Sequence, residues 1–201
     1  MIIEDWFPTP IGYLYDYDLA RELLPVARDT LNNSINLNEQ YSKSTGVNSR
    51  ITLNKTNSAK DPRLENANKK LCEYSRSFLS TTGYQNNLST ETSNLYFNNL
   101  SYGGSQPLHI HELSPVTGVM YLETDQDSSP TVFTTPLDVA NFTFAATKTH
   151  ATKYNASDVY FLPEPGKILM FPGWLKHHVP VNYTNVRVVL TFIYYYDYGT
   201  L

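Results

Sequence analysis

DVYFLPEPGKILMFPGWLKHHVPVNYTNVRVVLTFIYYY, residues 158–196, is the stretch that decides the fold. It divides into short runs rich in Val, Ile, Leu, Phe and Tyr at Asp158–Leu162, Lys167–Phe171, His177–Val181 and Val186–Tyr196. Turn residues separate several of them, at Pro163-Glu164-Pro165-Gly166 and Asn182-Tyr183-Thr184-Asn185. β-Branched and aromatic side chains suit a pleated, half-buried surface, and Pro, Gly and Asn suit tight turns. The same pattern extends upstream through Asn94–Leu100, Pro107–Glu112, Thr117–Glu123, Thr131–Thr135 and Asn141–Ala145, with turn signals at Gly103-Gly104 and Asp125–Pro130. Many short strands at near-regular spacing predict a sandwich, barrel or jelly roll.

Before Ser89 the periodicity is helical. Leu19, Leu23, Leu24, Ala27, Leu31 and Ile35 recur at helical spacing over residues 16–36, with Pro25 as an expected kink. Asp61-Pro62 opens a second helix, Leu64, Ala67, Leu71, Tyr74 and Phe78 form its stripe, and Gly83 stops it. At 201 residues the chain has the size of one domain. The expected arrangement is a helical support over 1–88 on a β core over 89–201.

Composition excludes several classes. The net charge of −4, without a Lys/Arg cluster, lacks the usual signature of nucleic-acid or anionic-membrane binding. The single cysteine, Cys72, rules out an intramolecular disulfide framework and any multi-Cys metal site, and its helical setting makes it a packing residue. Neither a signal peptide nor a membrane span is legible, so a cytoplasmic location is expected (the host cytoplasm if the chain is viral). The sequons at Asn141 and Asn182 carry no meaning in that setting.

Four of the five histidines fall in two places. His109 and His111, two apart on an expected strand, project from one face, while Leu108 and Ile110 point the other way into apolar packing. Of the adjacent His177 and His178, alternation lets only one join them. Neutral imidazoles suit iron, zinc, copper or nickel. Isolated His-x-His pairs are commonly surface or hydrogen-bonded core residues, but a second cluster in a His-poor chain favours a shared metal. His150 lies apart in a polar loop. Phe171 and Trp174 read as core aromatics.

Several motifs follow in order: Pro107-Leu108-His109-Ile110-His111, Thr117–Leu122, Pro165-Gly166 through Phe171-Pro172-Gly173-Trp174 to His177, and Arg187–Phe192. Their order and spacing resemble the iron(II)- and 2-oxoglutarate-dependent oxygenases common in viral and bacterial genomes, whose N-terminal signature Trp6–Ile11 also resembles. The resemblance implies a double-stranded β-helix, a cupin-like jelly roll, with Fe(II) held by His109, His111 and His177. It implies that Arg187 pairs with the far carboxylate of 2-oxoglutarate, which suits a planar guanidinium. It also explains a charge at the head of the apolar run Val188–Phe192. Such enzymes often carry Ser two residues beyond that Arg; Val189 stands there instead, and Thr191 is the candidate hydroxyl. Tyr96, Asn98 and Tyr121 are further candidates for cosubstrate contact. The departure is His111, where the usual triad has a carboxylate; Glu112 reaches the metal only through a bulge.

The expected activity is hydroxylation of an unidentified small molecule or peptide, consuming O2 and releasing succinate and carbon dioxide. Two alternatives stand beside it. One is a cupin-type metalloprotein without 2-oxoglutarate, favoured by the placing of Gly103 and Asn182. The other is a non-enzymatic jelly-roll structural or binding module, its Tyr-rich tail an interface; a homo-oligomer is open under each reading. Substrate specificity belongs to loops such as Thr147–Ser157, which carry no readable code.

Overall fold

The computed structural model describes residues 8–32, 49–51, 61–137, 150 and 152–198. The strand expected at Asn141–Ala145, and Trp6 and Phe7 of the N-terminal motif, lie outside these residues. Within them the strands are β1 Gly12–Tyr15, β2 Ser49–Ile51, β3 Leu88–Leu100, β4 Gln106–His109, β5 Val116–Thr124, β6 Thr131–Thr134, β7 Asp158–Phe161, β8 Lys167–Phe171, β9 His177–Val179 and β10 Arg187–Tyr196. The helices are α1 Tyr17–Asn32 and α2 Glu65–Thr81.

The strands pair antiparallel into two sheets, ordered β1-β8-β5-β10-β3-β2 and β4-β9-β6-β7. Strand β10 shows why the sequence builds this jelly roll. Val188, Leu190, Phe192 and Tyr194 join Leu19, Leu23, Leu71 and Phe78 in the core between the large sheet and the helices. Val189 turns the other way, into a second core with Tyr121, Phe133, Leu169 and Phe171. Period-2 alternation therefore places Arg187 and Thr191 in the interior between the sheets. Both faces are covered, so the strand reads as an unbroken apolar run. Gly118 on β5 makes this packing possible, because a Cβ there would sit 2.0 Å from the Phe192 ring.

Local chemistry sets the helix ends. The Asp16 carboxylate accepts from the Leu19 N–H at 2.9 Å, capping α1, whose Leu19, Leu23, Ala27 and Leu31 are buried. A 3₁₀ turn, Pro62–Leu64, leads into α2, with Asp61 accepting from the Arg63 N–H. Gly83, at φ +81°, ends α2 and lets the Tyr84 N–H reach the Leu79 carbonyl at 2.9 Å. Cys72 is buried in the helix–sheet core.

The N-terminal part is not purely helical. β1 adds to the edge of β8, with Gly12 opposite Met170, and β2 pairs with β3. Four residues with exposed Tyr13 and Tyr15 gave β1 no apolar alternation to read. β3 also begins earlier than expected, at Leu88, since β10 supplies partners for its polar start, Tyr195 facing Ser89. Among the described residues no helix is long and apolar enough to cross a membrane.

Candidate metal centre

β4 and β9 are neighbours in the small sheet, with His109 directly opposite His177. Strand β4 ends at His109, so His111 does not share its strand face as expected. It sits in the following turn instead, its N–H donating to the Gly173 carbonyl at 2.8 Å while the Gly173 N–H donates to the Ser114 carbonyl. This backbone clip, not strand alternation, brings the third imidazole in. One ligand atom from each of His109, His111 and His177 lies within 4.8 Å of the others. Ring centroids are 4.2 Å apart for His109–His177, 5.1 Å for His109–His111 and 5.2 Å for His111–His177.

The environment prepares these rings as ligands. The Nδ1 atoms of His109 and His177 each lie 2.8 Å from a backbone carbonyl, those of Pro107 and Leu175. A carbonyl only accepts, so Nδ1 carries the hydrogen and the Nε2 lone pair is free. Burial lowers all three pKa values, with the neighbouring imidazoles adding to the effect: His111 falls to about 4 and His177 to about 3. The rings are therefore neutral at ordinary pH, as metal binding requires. Phe171 and Phe133 pack against His177, at 4.7 and 5.9 Å between centroids.

Arg187 lies at the opposite end of the same interior. It pairs with Thr124 at the far end of β5, whereas Val116 at the near end follows the His111–Pro115 turn. The guanidinium is 3% exposed, and burial depresses its pKa. Its Nε donates to the Ser129 carbonyl at 2.8 Å, its Nη2 donates to Thr131 Oγ1 at 3.1 Å, and it lies over the Tyr121 ring. Among the described residues no carboxylate pairs with it. A buried cation with spare N–H groups and no counter-ion fits a carboxylate ligand.

The hydroxyls beside it point the same way. Tyr121 Oη and Thr131 Oγ1 share one hydrogen over 2.6 Å. Arg187 already donates to Thr131, so the second hydroxyl hydrogen has no acceptor among the described residues. Between the two ends, Asn98 Nδ2 donates to Thr191 Oγ1 at 3.0 Å, and half-buried Tyr96, opposite Thr191 on β3, has its pKa pushed up to about 12 by burial. Of the expected interior residues, Arg187 thus lies against Tyr121, while Thr191 bonds Asn98 and faces Tyr96. Ser129 and Thr131 were not legible, because only the β6–β10 proximity gives them a part.

Other expectations are corrected. Leu108 and Ile110 are 53% and 42% exposed rather than packed. Trp174 is half-exposed rather than core, for it lies on the turn that clips His111. It lines a groove of about 640 Å³ with Phe78, Tyr84, Leu113 and Tyr198, and His111 borders that groove. Phe171 is fully buried as expected. Glu112 is exposed and outside the cluster. Gly103 and Asn182, which fitted the cupin spacing, form a structural corner: the Gly103 N–H donates to the Asn182 carbonyl, and buried Asn182 Nδ2 donates to the Leu100 carbonyl.

The jelly roll thus sets three converging histidines at one end of its interior and, at the other, a buried arginine that no carboxylate among the described residues pairs with. Residues 94–192 match the sequence family described as "Putative 2OG-Fe(II) oxygenase", over just under half of the chain. No curated protein matches the chain. Among solved structures, a Pseudomonas putida prolyl-4-hydroxylase aligns over 94% of both chains with a TM-score of 0.62 and 10% identity. A prolyl hydroxylase from Trichoplax adhaerens, solved with a hypoxia inducible factor peptide fragment, aligns over 92% of this chain and 83% of its own, with a TM-score of 0.60 and 15% identity. The collagen prolyl hydroxylase of Paramecium Bursaria Chlorella virus-1 covers 98% and 97%, with a TM-score of 0.54 and 9% identity. At these identities the likeness establishes the fold.

Proposed function

We propose that this protein is an iron(II)- and 2-oxoglutarate-dependent dioxygenase that hydroxylates a C–H bond of its substrate. The observation that carries the reading is the pairing of the His109, His111 and His177 cluster with the uncompensated Arg187 in one interior. His109, His111 and His177 would hold the iron, and the family implies both iron and 2-oxoglutarate. Bound there, iron supplies the activation of O2 that couples oxidative decarboxylation of 2-oxoglutarate to insertion of an oxygen atom into substrate. The balance is substrate, 2-oxoglutarate and O2 in, hydroxylated substrate, succinate and carbon dioxide out.

The chain's own residues supply position and dryness. Arg187 binds the far carboxylate, and the free hydrogen of the Tyr121–Thr131 pair adds a second donor. Tyr96, Asn98 and Thr191 line the space between that carboxylate and the histidines. Phe133 and Phe171 exclude water from the side of His177. The fold neighbours include a prolyl hydroxylase solved with a peptide and an epimerase of nogalamycin biosynthesis, so the substrate class stays a peptide or a small molecule.

The test is an anaerobic titration of 2-oxoglutarate into the iron(II)-loaded protein, followed by the visible metal-to-ligand charge-transfer absorption. A saturable band that weakens at least tenfold in affinity in Arg187→Ala and vanishes in His177→Ala is expected, with succinate formed on admission of O2. Iron bound without any such band would remove the 2-oxoglutarate assignment.

A further inference from the structure

We propose that the anion seat at Arg187 controls metal retention: the three-histidine centre holds its metal weakly until a dianion spans the interior. This inference rests on the oxygenase reading above and adds the regulation of that site.

A charge count carries it. Three neutral imidazoles leave a divalent ion with both of its positive charges, and no acidic residue belongs to the cluster. No Asp or Glu is among the buried described residues either. Among the described residues the buried cations are Lys167, ion-paired with Glu164, and Arg187, which no described carboxylate partners. An entering metal ion therefore meets a like charge in the interior and no described acidic side chain that offsets either. A dianion with one end at the metal and the other at Arg187 removes two of the three positive charges at once. A carboxylate at position 111 would have neutralised part of that excess without any ligand; His111 does not. Linkage then requires the dianion to tighten metal binding by the factor by which the metal tightens the dianion. Cosubstrate supply would set how much of the protein is metal-loaded.

The experiment titrates Mn(II), a redox-inert stand-in, into the full chain and reads free Mn(II) by electron paramagnetic resonance. It is run without anion, with saturating 2-oxoglutarate, and with saturating pyruvate, which has the same 2-oxo acid but one charge. We expect 2-oxoglutarate to tighten Mn(II) about tenfold or more, within the usual range of coupling, and pyruvate clearly less. In His111→Asp, Mn(II) alone should bind more tightly than to the wild type, and the factor due to 2-oxoglutarate should fall severalfold. Equal Mn(II) affinity with and without 2-oxoglutarate, when dialysis shows that the cosubstrate binds, overturns the proposal. An unchanged factor in a folded His111→Asp also overturns it. If that variant does not fold, the wild-type contrast decides, and equal tightening by pyruvate overturns it. Failure of the Mn(II)-loaded protein to bind 2-oxoglutarate at all ends the oxygenase reading itself, a result distinct from binding without coupling.

Discussion

At the scale of single residues, Thr131 and Asp16 show how one oxygen atom can organise its surroundings. Thr131 Oγ1 accepts from Arg187 and shares a hydrogen with Tyr121, so it both orients the guanidinium and frees a donor. Hydrogen bonds to charged groups contribute about 1.5–3 kcal/mol. Thr131→Val should therefore raise the KM for 2-oxoglutarate by roughly tenfold or more with kcat little changed, and Thr131→Ser should restore it; steady-state kinetics on the cosubstrate decides this. Asp16 accepts from the Leu19 N–H and the Tyr74 hydroxyl and pairs with Lys70. Burial alone would raise its pKa, but these partners outweigh burial and hold the carboxyl below its ordinary value. A carboxyl with a depressed folded pKa stabilises fully above its unfolded value and loses that contribution as pH falls through the folded one. Asp16→Ala should cost about 1 kcal/mol in urea unfolding at neutral pH, and the deficit should shrink as the solution becomes acid enough to protonate the wild-type carboxyl.

At the scale of elements, the metal cluster depends on a junction between two turns. β4 supplies His109 and β9 supplies His177, and their register fixes that pair. His111 arrives only because residues 111–114 and 172–174 exchange backbone hydrogen bonds. Gly173 permits the approach: a Cβ there would lie 2.5 Å from the His111 carbonyl oxygen and 2.6 Å from that of Ser114. These are backbone atoms that cannot rotate aside. Gly173→Ala should therefore weaken Mn(II) binding severalfold without removing a ligand, while the melting transition stays cooperative. Mn(II) affinity as tight as wild type would show that the turn tolerates the displacement. Leu113 belongs to the same junction. It is a non-glycine residue at φ +61° with its side chain 93% exposed, an unfavourable conformation held by the hydrogen bonds around it.

At the scale of the whole molecule, the two sheets enclose both ends of the site, so ligands that bind there stabilise the fold as a unit. Mn(II) and 2-oxoglutarate together should raise the melting temperature by more than the sum of their separate shifts; a ligand at a hundredfold excess over its Kd contributes about 2.7 kcal/mol. Additive shifts in calorimetry would count against the coupling. The strand runs, the two helices with their Asp61 and Gly83 boundaries, and the shared strand face of Arg187 and Thr191 were legible because alternation and capping are local. Register along one strand already says which side chains share a face. What stayed hidden depends on contacts between distant segments. β1 has no apolar alternation and exists because β8 offers it an edge. Trp174 and Ile110 carry the signature of core residues, yet they stand at a surface junction whose shape only chain packing sets. Thr131 looks like any strand threonine until Arg187, 56 residues later, reaches it. The sequence by itself determined the many-stranded β core with its helical flank and the histidine and arginine motifs whose resemblance implied the jelly roll, because periodicity and chemical type survive in one dimension. Tertiary structure alone decided how His111 reaches its partners and that Arg187 has no counter-ion among the described residues, because distance and desolvation arise only once the sheets close.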